Sequence, residues 1–321
     1  MDRTRTRRLA VLVVAGLLAL AGCSADAPPP LTPPGSVARD VDLTGQTYTV
    51  GSKQFDEQLV LCKMTIALLQ SVRATAIDRC GAPNSDRVRS QLTGGQVDMY
   101  WEYTGTAWRT YLSQEARLAD PEALYSAVKA ADAGNDVTWL RMTPFNNTYA
   151  IGVRADVAQR VGARTISDLA RLVQSGAPEG SLCVAQEFTG REDGLQGLLR
   201  TYGFQLPAGS LDTIDEDRIY DALARTDPCA FGEVFATDGR LNALRIATLA
   251  DDRGYFLPYN AALTVRTEVL DRAPRLALVA EALAPTLTEP VMRELNARVS
   301  AGGRNPDQVA RGFLREQGLI G

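Results

Sequence analysis

The sequence contains no histidine among its 321 residues. Histidine is the commonest general base in enzymes, the usual partner of a nucleophilic serine and the commonest zinc ligand. The chain also has no Gly-x-Ser-x-Gly nucleophile motif and no Gly-x-x-x-x-Gly-Lys-Ser/Thr phosphate-binding loop. These absences argue against an enzyme, and we expect neither a bound metal nor another cofactor.

An excess of basic residues is also missing. The chain has 34 Lys and Arg against 38 Asp and Glu, which gives a net charge of −4. Proteins that bind nucleic acid carry clustered positive charge that attracts phosphates. We therefore expect no nucleic-acid partner.

The N-terminus has the pattern of a secretory signal peptide, with four arginines before an uncharged apolar run, Leu9 to Leu20. That run is well short of the roughly 20 residues that a membrane-spanning helix needs. Leu20-Ala21-Gly22-Cys23 resembles the bacterial lipobox, whose cysteine becomes the acylated first residue of the mature protein. We predict a signal peptide at 1–22, lipidation at Cys23 and a Pro-rich tether over 23–44. The protein would then sit at the cell membrane, lipid-anchored on the extracytoplasmic side.

Four cysteines follow Cys23, and an even number in an exported chain indicates disulfides. They are Cys62, Cys80, Cys183 and Cys229. Four cysteines allow three connectivities, and the lack of a Cys-x-x-Cys pair disfavours a zinc site. Pairing Cys62 with Cys80 and Cys183 with Cys229 keeps each bridge inside one of the two lobes predicted below, so we predict that pairing.

From Gln46 onward, short β-branched runs alternate with longer amphipathic stretches, a pattern typical of α/β folds with parallel sheets. We predict strands at 48–50, 73–78, 97–102, 181–185, 229–235 and 245–249, and helices at 55–71, 85–93, 188–202 and 276–299. The segments 138–154 and 255–266 read as extended chain that crosses between two groups of elements.

Two crossings divide the chain into two parallel-rich α/β lobes. Lobe I would comprise residues 45–150 plus 255–321, and lobe II residues 151–254. Such an arrangement places a cleft between the lobes and a hinge beneath it, which suits closure around a ligand. Six segments fall at strand ends or crossings, where α/β proteins bind ligands: 51–55, 100–106, 146–149, 187–191, 235–240 and 257–261.

Two sequence blocks carry a close resemblance to a known family. They are Glu-Tyr-Thr-Gly-Thr at 102–106, and Thr-Asp-Gly-Arg at 237–240 followed by Pro-Tyr-Asn-Ala at 258–261. From about Thr47 to the C-terminus the chain resembles the substrate-binding proteins of glycine betaine, choline and carnitine ABC importers. The resemblance implies a two-lobed periplasmic-binding-protein-like fold, a small quaternary-amine ligand, and ABC permease and ATPase subunits as partners. We expect the protein to be a monomer.

In that family an aromatic cage surrounds the trimethylammonium head, while basic and hydroxyl groups hold the carboxylate of betaine. A quaternary ammonium has no N–H to donate, so shape and the negative faces of aromatic rings recognise it. The resemblance implies cage roles for Tyr103, Tyr149, Tyr259 and Phe235, the last standing where the family usually has a tyrosine. It implies carboxylate recognition by Lys53, Thr106 and Arg191, with Arg191 as a bidentate fork.

Each of these residues also has an ordinary interpretation. The tyrosines could be half-buried strand aromatics and the basic residues solvated surface charges. Two other functions are an exported hydrolase that uses the carboxylates of Glu233 and Asp238, and a structural envelope lipoprotein without a ligand. We favour the binding protein because its predicted site residues all fall at strand ends, helix starts or crossings.

Overall fold

Ten strands in the described part of the chain form two five-stranded sheets. The computed structural model describes residues 32–191 and 193–321, so the predicted signal peptide and Cys23 lie outside the described residues. The strands are β1 (Thr47–Lys53), β2 (Thr75–Ala82), β3 (Met99–Tyr103), β4 (Val137–Asn146), β5 (Tyr149–Arg154), β6 (Leu182–Val184), β7 (Leu211–Thr213), β8 (Phe231–Phe235), β9 (Ile246–Thr248) and β10 (Asn260–Arg266).

The first sheet has the order β2-β1-β3-β10-β4. β1 runs parallel to β2 and β3, whereas β10 pairs antiparallel with β3 and β4. β1 and β3 are almost entirely buried. Strands covered on both faces have no polar face to present, which explains why they read as apolar or β-branched runs.

The second sheet has the order β7-β6-β8-β5-β9. β6 is parallel to β7 and β8, and β5 pairs antiparallel with β8 and β9. The chain passes from β4 of the first sheet to β5 of the second, and from β9 back to β10. The α/β fold with two crossing segments is therefore confirmed, and each sheet combines parallel pairs with antiparallel ones.

Helices cover both sheets. They are α1 (Asp56–Ser71), α2 (Ser85–Thr93), α3 (Thr104–Thr106), α4 (Pro121–Asp132), α5 (Ala155–Val161), α6 (Ile166–Gln174), α7 (Gln186–Gly190), α8 (Leu195–Tyr202), α9 (Glu216–Arg225), α10 (Arg240–Ala243), α11 (Thr267–Arg272), α12 (Ala277–Leu283), α13 (Glu289–Ser300) and α14 (Pro306–Glu316). A π-helical turn, Ala107–Tyr111, follows α3.

Helix α1 connects the first sheet to the C-terminal helices. Asp56 and Glu57 occupy its first turn, where the helix dipole favours acidic side chains. Most of its later residues are buried, because it packs against β1 and β2 on one side and against α13 and α14 on the other. A helix that is apolar nearly all round belongs in such an interior position.

Two predicted helices are interrupted in the structure. The stretch 188–202 is two helices, α7 and α8, because Arg191 has an extended backbone and α8 starts only after Gly194. The stretch 276–299 is broken between α12 and α13 by a 3-10 turn, Ala284–Thr286. Pro285 and Pro290 lie in the first turns of the segments that follow the breaks, the positions that a helix tolerates for proline.

Both predicted disulfides are present: Cys62 bonds to Cys80 and Cys183 to Cys229. The first joins α1 to β2, and the second joins β6 to the residues before β8, so each bridge stays with the elements of one sheet. Cys62, Cys80 and Asp78 bring three potential metal-ligand atoms together. Both sulfurs are bonded to each other, so this cluster offers no thiolate to a metal.

The packed part of the chain begins earlier than the end of the expected tether at residue 44. Val37, Val41 and Leu43 are buried, and Pro34 forms a β-bridge with Ile320. No helix in residues 32–191 or 193–321 is long and apolar enough to cross a membrane.

Candidate functional site

A cavity of about 50 Å³ lies where the strand ends of the two sheets face each other. Residues from the first sheet and its connections line one side, and residues from β5, β8, α7 and α9 line the other. The side chains that line it include Lys53, Phe55, Tyr103, Thr106, Asn147, Tyr149, Glu187, Glu216, Glu233, Phe235 and Tyr259. Six of the seven residues that the sequence predicted for a ligand site are in this set, and Arg191 is not.

Five aromatic rings form a continuous series around the cavity. Phe55 stacks on Tyr103 with centroids 6.2 Å apart and on Phe235 at 5.6 Å. Tyr149 lies 5.0 Å from Phe235 and 5.3 Å from Tyr259, the latter edge to face. Rings packed in this way can turn both faces and edges toward the cavity that they line, and the faces carry negative potential.

The topology explains this convergence. Tyr103 is the last residue of β3, and Tyr259 immediately precedes β10, which pairs with β3 so that Ala261 lies opposite Tyr103. Tyr149 and Phe235 are direct partners in the β5–β8 ladder. Directly opposed residues in an antiparallel pair have their side chains on the same face, so these rings must meet.

Tyr259 needs a glycine opposite it. A Cβ at Gly105 would lie 2.7 Å from the Tyr259 ring, closer than any real contact. The ring therefore packs directly on the backbone of α3, and its hydroxyl donates a hydrogen bond to Asp193. Both ends of this side chain are held.

A buried carboxylate, Glu57, lies beneath the rings and accepts four hydrogen bonds. Its Oε1 accepts from Tyr103 Oη and Asn147 Nδ2, both at 2.8 Å, and its Oε2 accepts from Thr237 Oγ1 at 2.6 Å and Asn296 Nδ2 at 2.8 Å. Burial raises the pKa of Glu57, although the hydrogen bonds to the carboxylate oppose the shift. These donors come from α13, from the ends of β3 and β8 and from the β4–β5 crossing, so Glu57 ties the two sides of the site together.

The cation of Lys53 already has a partner. Its Nζ lies 2.7 Å from Glu102 Oε1 and 4.9 Å from the centre of the Tyr103 ring. Glu102 is fully buried and also accepts hydrogen bonds from the hydroxyls of Tyr100 and Tyr111. The charge of Lys53 is thus largely balanced within the protein.

Arg191 lies behind the ring series, with its bidentate fork occupied. Its Nε and Nη2 donate to the two carboxylate oxygens of Asp193 at 2.7 and 2.6 Å, and its Nη1 lies 3.3 Å from Glu187. The guanidinium is 5.5 Å from the centre of the Tyr149 ring. The resemblance implied that this fork holds a ligand carboxylate, whereas in the structure Asp193 takes it and Arg191 lines two neighbouring hollows of the cleft.

Three glutamates line the cavity, and Glu187 differs from the other two. Its Oε1 accepts a hydrogen bond from Ser85 Oγ at 2.7 Å. Burial alone would raise the pKa of Glu187, but Lys53, Ser85 and Arg191 outweigh it, so the net shift is downward. Glu187 is therefore an ionised carboxylate with its charge partly compensated.

Glu233 is buried on β8, where its Oε2 accepts a hydrogen bond from the backbone N–H of Ala185 at 2.9 Å. Burial raises its pKa well above the usual range, and repulsion from Glu216 and Glu187 adds to the shift. Asp238, the other half of the hydrolase pair considered above, has both oxygens on Arg240. With both oxygens bonded to Arg240, Asp238 is not free to act as the second catalytic carboxylate of such a pair.

Glu216, the first residue of α9, is the third acid of the cavity. Its carboxylate has no hydrogen bond or ion pair with any other described residue. Burial raises the pKa of Glu216 to about 8, and Asp217, Glu187 and Asp238 add repulsion while Arg240 opposes it. A cation that enters the cavity would stabilise the ionised form of this carboxyl group and lower its pKa.

Phe55 and Glu216 are among the lining residues that were not predicted for the site. Phe55 belongs to the segment 51–55, which was selected because it lies at a strand end, but no pattern in the sequence indicated that the Phe55 ring itself would contact a ligand. Glu216 starts α9, a helix that was not predicted from the sequence. The acidic first turn, Glu216 and Asp217, together with the spacing of Ile219, Tyr220 and Leu223 marks an amphipathic helix and is the signal that could have found it.

Comparisons with known proteins agree with one another. Residues 46–316 match the model of the substrate-binding domain of ABC-type glycine betaine transport systems. The chain is 36% identical over 280 residues to a glycine-betaine-binding protein of Pseudomonas aeruginosa, covering 86% of this chain and 89% of the relative. It is 30% identical over 275 residues to the glycine betaine-binding protein YehZ of Escherichia coli, covering 84% and 90% of the two chains.

Solved structures share the fold. The apo form of Escherichia coli YehZ superimposes with a TM-score of 0.63 at 29% identity, covering 85% of this chain and 99% of the other. A glycine betaine/carnitine/choline ABC transporter structure has a TM-score of 0.68 at 24% identity, covering 85% and 98%. The chain therefore belongs to the family of substrate-binding domains of ABC-type glycine betaine transport systems, which bind a solute for an importer and are not enzymes.

Proposed function

We propose that the protein captures a small quaternary-amine osmolyte, such as glycine betaine or choline, in the ring-lined cavity and delivers it to the permease and ATPase of an ABC importer. The convergence of five rings on one cavity is the observation that carries this proposal. A cation that cannot donate a hydrogen bond is attracted to the faces of such rings by about 0.5 to 2 kcal/mol each once it is desolvated. Several rings together are enough for micromolar affinity, which corresponds to about 8 kcal/mol.

The proposed cage consists of Phe55, Tyr103, Tyr149, Phe235 and Tyr259. Thr106 and Lys53 also line the cavity and would contact the end of the ligand away from the ammonium group, Lys53 while keeping its ion pair with Glu102. Arg191 is given a different role, because its fork is bonded to Asp193. It would position Tyr149 by cation–π contact and Tyr259 through their shared partner Asp193.

Closure of two lobes around the ligand is part of the proposal. Lobe I would comprise residues 45–150 plus 255–321 and lobe II residues 151–254, although the second sheet starts two residues earlier, because β5 begins at Tyr149. Ser85 and Glu187, and Tyr259 and Asp193, are hydrogen-bonded between the two proposed lobes. These bonds would stabilise the closed state that presents the ligand to the permease.

We also propose that Cys23 carries a lipid anchor, with the Pro-rich segment after it as a tether. The support is the sequence pattern Leu20-Ala21-Gly22-Cys23 after a basic and then apolar segment. An importer's binding protein works outside the cytoplasm, and an anchor would keep it near its permease. Membrane fractionation of a Cys23→Ala variant tests this part of the proposal.

Isothermal titration of the purified mature protein with glycine betaine and choline tests the binding function. Tyr103→Leu and Tyr259→Leu each keep apolar volume but remove a ring, so each should weaken every quaternary amine by about 1 to 2 kcal/mol, roughly 5- to 30-fold. Tyr125→Leu is the matched control, because Tyr125 lies outside the cavity and donates its hydroxyl to the Leu140 carbonyl.

Absence of binding by any quaternary amine would contradict the proposal and favour a structural lipoprotein. Equal effects of Tyr125→Leu and the two cage variants would show that the losses reflect general destabilisation, and the cage assignment would be wrong.

A further inference from the structure

The carboxylate of Glu216 faces the ring-lined cavity without a partner of its own. It lines that cavity and a second, smaller hollow beside Phe55 and Phe235. The other charged residues that line the ring-lined cavity are Lys53, Glu187 and Glu233, and each of them is ion-paired or hydrogen-bonded. An unmatched acidic group next to five rings is a feature that the cage alone does not explain.

The charge pairs around the cavity leave an excess of acid. Lys53 is paired with Glu102, Arg191 with Asp193, and Arg240 with Asp238. Three further glutamates line the cavity. Glu187 shares Arg191 with Asp193, and Glu233 accepts a hydrogen bond from the Ala185 N–H, so Glu216 is the glutamate of the cavity that has no partner among the described residues. Such a lining complements an ammonium group and repels a carboxylate.

We propose that Glu216 is the counter-ion of the bound ammonium and that it selects against quaternary amines carrying a carboxylate. The inference rests on the proposed function, in which the rings hold the ammonium group. A ligand with an uncharged far end, such as choline, gains the full attraction of Glu216. For a zwitterion such as glycine betaine, repulsion of its carboxylate offsets most of that gain.

Binding of the cation should also release a proton. With a pKa of about 8, Glu216 is largely protonated in the free protein at neutral pH, and an adjacent ammonium group favours the ionised form. The pKa falls in the complex, so affinity for choline should rise as the pH increases toward about 8 and then level off.

Other titratable and charged groups lie near Glu216, and their contributions to the pH dependence of binding must be distinguished from its own. Asp217 neighbours it on α9, and the groups on the elements packed around it are Glu187 on α7, Glu233 on β8, Asp238 and Arg240 after β8, and Asp56 and Glu57 on α1. Burial also raises the pKa values of Glu57 and Glu233. The contribution of Glu216 is therefore the part of the pH dependence that disappears in a Glu216→Gln variant.

Titration calorimetry with choline and glycine betaine, from pH 6 to 9 and in buffers of different ionisation enthalpy, tests the proposal. Glu216→Gln keeps the shape of the side chain, and at pH 8 it should weaken choline by about tenfold while changing betaine by less than about threefold. The wild-type protein should release a fraction of a proton on binding choline at pH 7, and the variant clearly less. Asp221→Asn removes an exposed charge from the same helix and should leave both ligands and the proton release unchanged.

The outcomes separate this inference from the function on which it rests. If no quaternary amine binds the wild-type protein, the proposed function fails and the counter-ion fails with it. If both ligands bind but Glu216→Gln affects them equally or not at all, only the counter-ion is wrong. Proton release on choline binding is measured on the wild-type protein, so its absence overturns the inference even if the variant does not fold.

Discussion

At the scale of single residues, the aromatic side chains that were predicted for the site lie together. Arg191 was expected to hold a ligand carboxylate, but in the structure its guanidinium is bonded to Asp193. Tyr103, Tyr149, Phe235 and Tyr259 all line one cavity because strand ends and strand pairing place them there. The sequence reveals that a residue ends a strand, but it does not reveal which acid will neutralise a nearby arginine. Asp193, only two residues from Arg191, was the partner that remained unrecognised.

Arg191→Ala should weaken choline and glycine betaine alike, with the ratio of their affinities unchanged. The variant leaves Asp193 buried and unpaired, which typically costs about 3 to 5 kcal/mol of stability, and it loosens Tyr149 and Tyr259 together. Calorimetry with both ligands and a thermal unfolding curve measure the two effects. Arg253→Ala is the control, because Arg253 also lies over a tyrosine ring, that of Tyr202, but away from the cavity.

A larger loss for betaine than for choline would mean that Arg191 reads the ligand carboxylate after all. The Asp193 pair would then have to open when the ligand binds, and the positioning role would be wrong.

At the scale of elements, α1 and the two extended crossings were predictable because their patterns are long, whereas the strand predicted at 48–50 extends over Thr47–Lys53 in the structure. The predicted helix 55–71 differs from α1 by one residue. The short elements were harder: β7 has three residues and α7 five, too few for a periodic pattern to emerge. Gly194 and Pro285 mark the breaks, but apolar residues at helical spacing continue on both sides of them and favour one long helix in each stretch.

The prediction at the scale of elements concerns the N-terminal segment and the lipid anchor at Cys23. Cys23→Ala should move the protein from the membrane fraction to the medium or leave it as an unprocessed precursor, because the acylated residue is lost. Western blots of membrane, soluble and medium fractions measure this, and Cys62→Ala/Cys80→Ala is a control that removes cysteines without touching the predicted lipidation site. An unchanged membrane fraction for Cys23→Ala would show that something else holds the protein there.

At the scale of the whole molecule, the site depends on groups that are far apart in the sequence. Glu57, Asn147, Thr237 and Asn296 meet in one buried hydrogen-bond network beneath the rings. No local pattern in the sequence announces such a network, since each residue is an ordinary polar side chain in its own segment. Their meeting follows from the two crossings, which bring the ends of both sheets to the same place.

The central claim is that the rings recognise a positive charge and not only an apolar shape. Choline and 3,3-dimethyl-1-butanol have the same shape, but the second has a carbon atom in place of the charged nitrogen. Calorimetric titration of the wild-type protein with both compounds separates charge from shape. The account predicts that choline binds at least about tenfold more tightly than the neutral compound, because cation–π attraction from several rings is lost with the charge. Equal affinities would contradict it and would make the cavity an apolar pocket without a role for the cation.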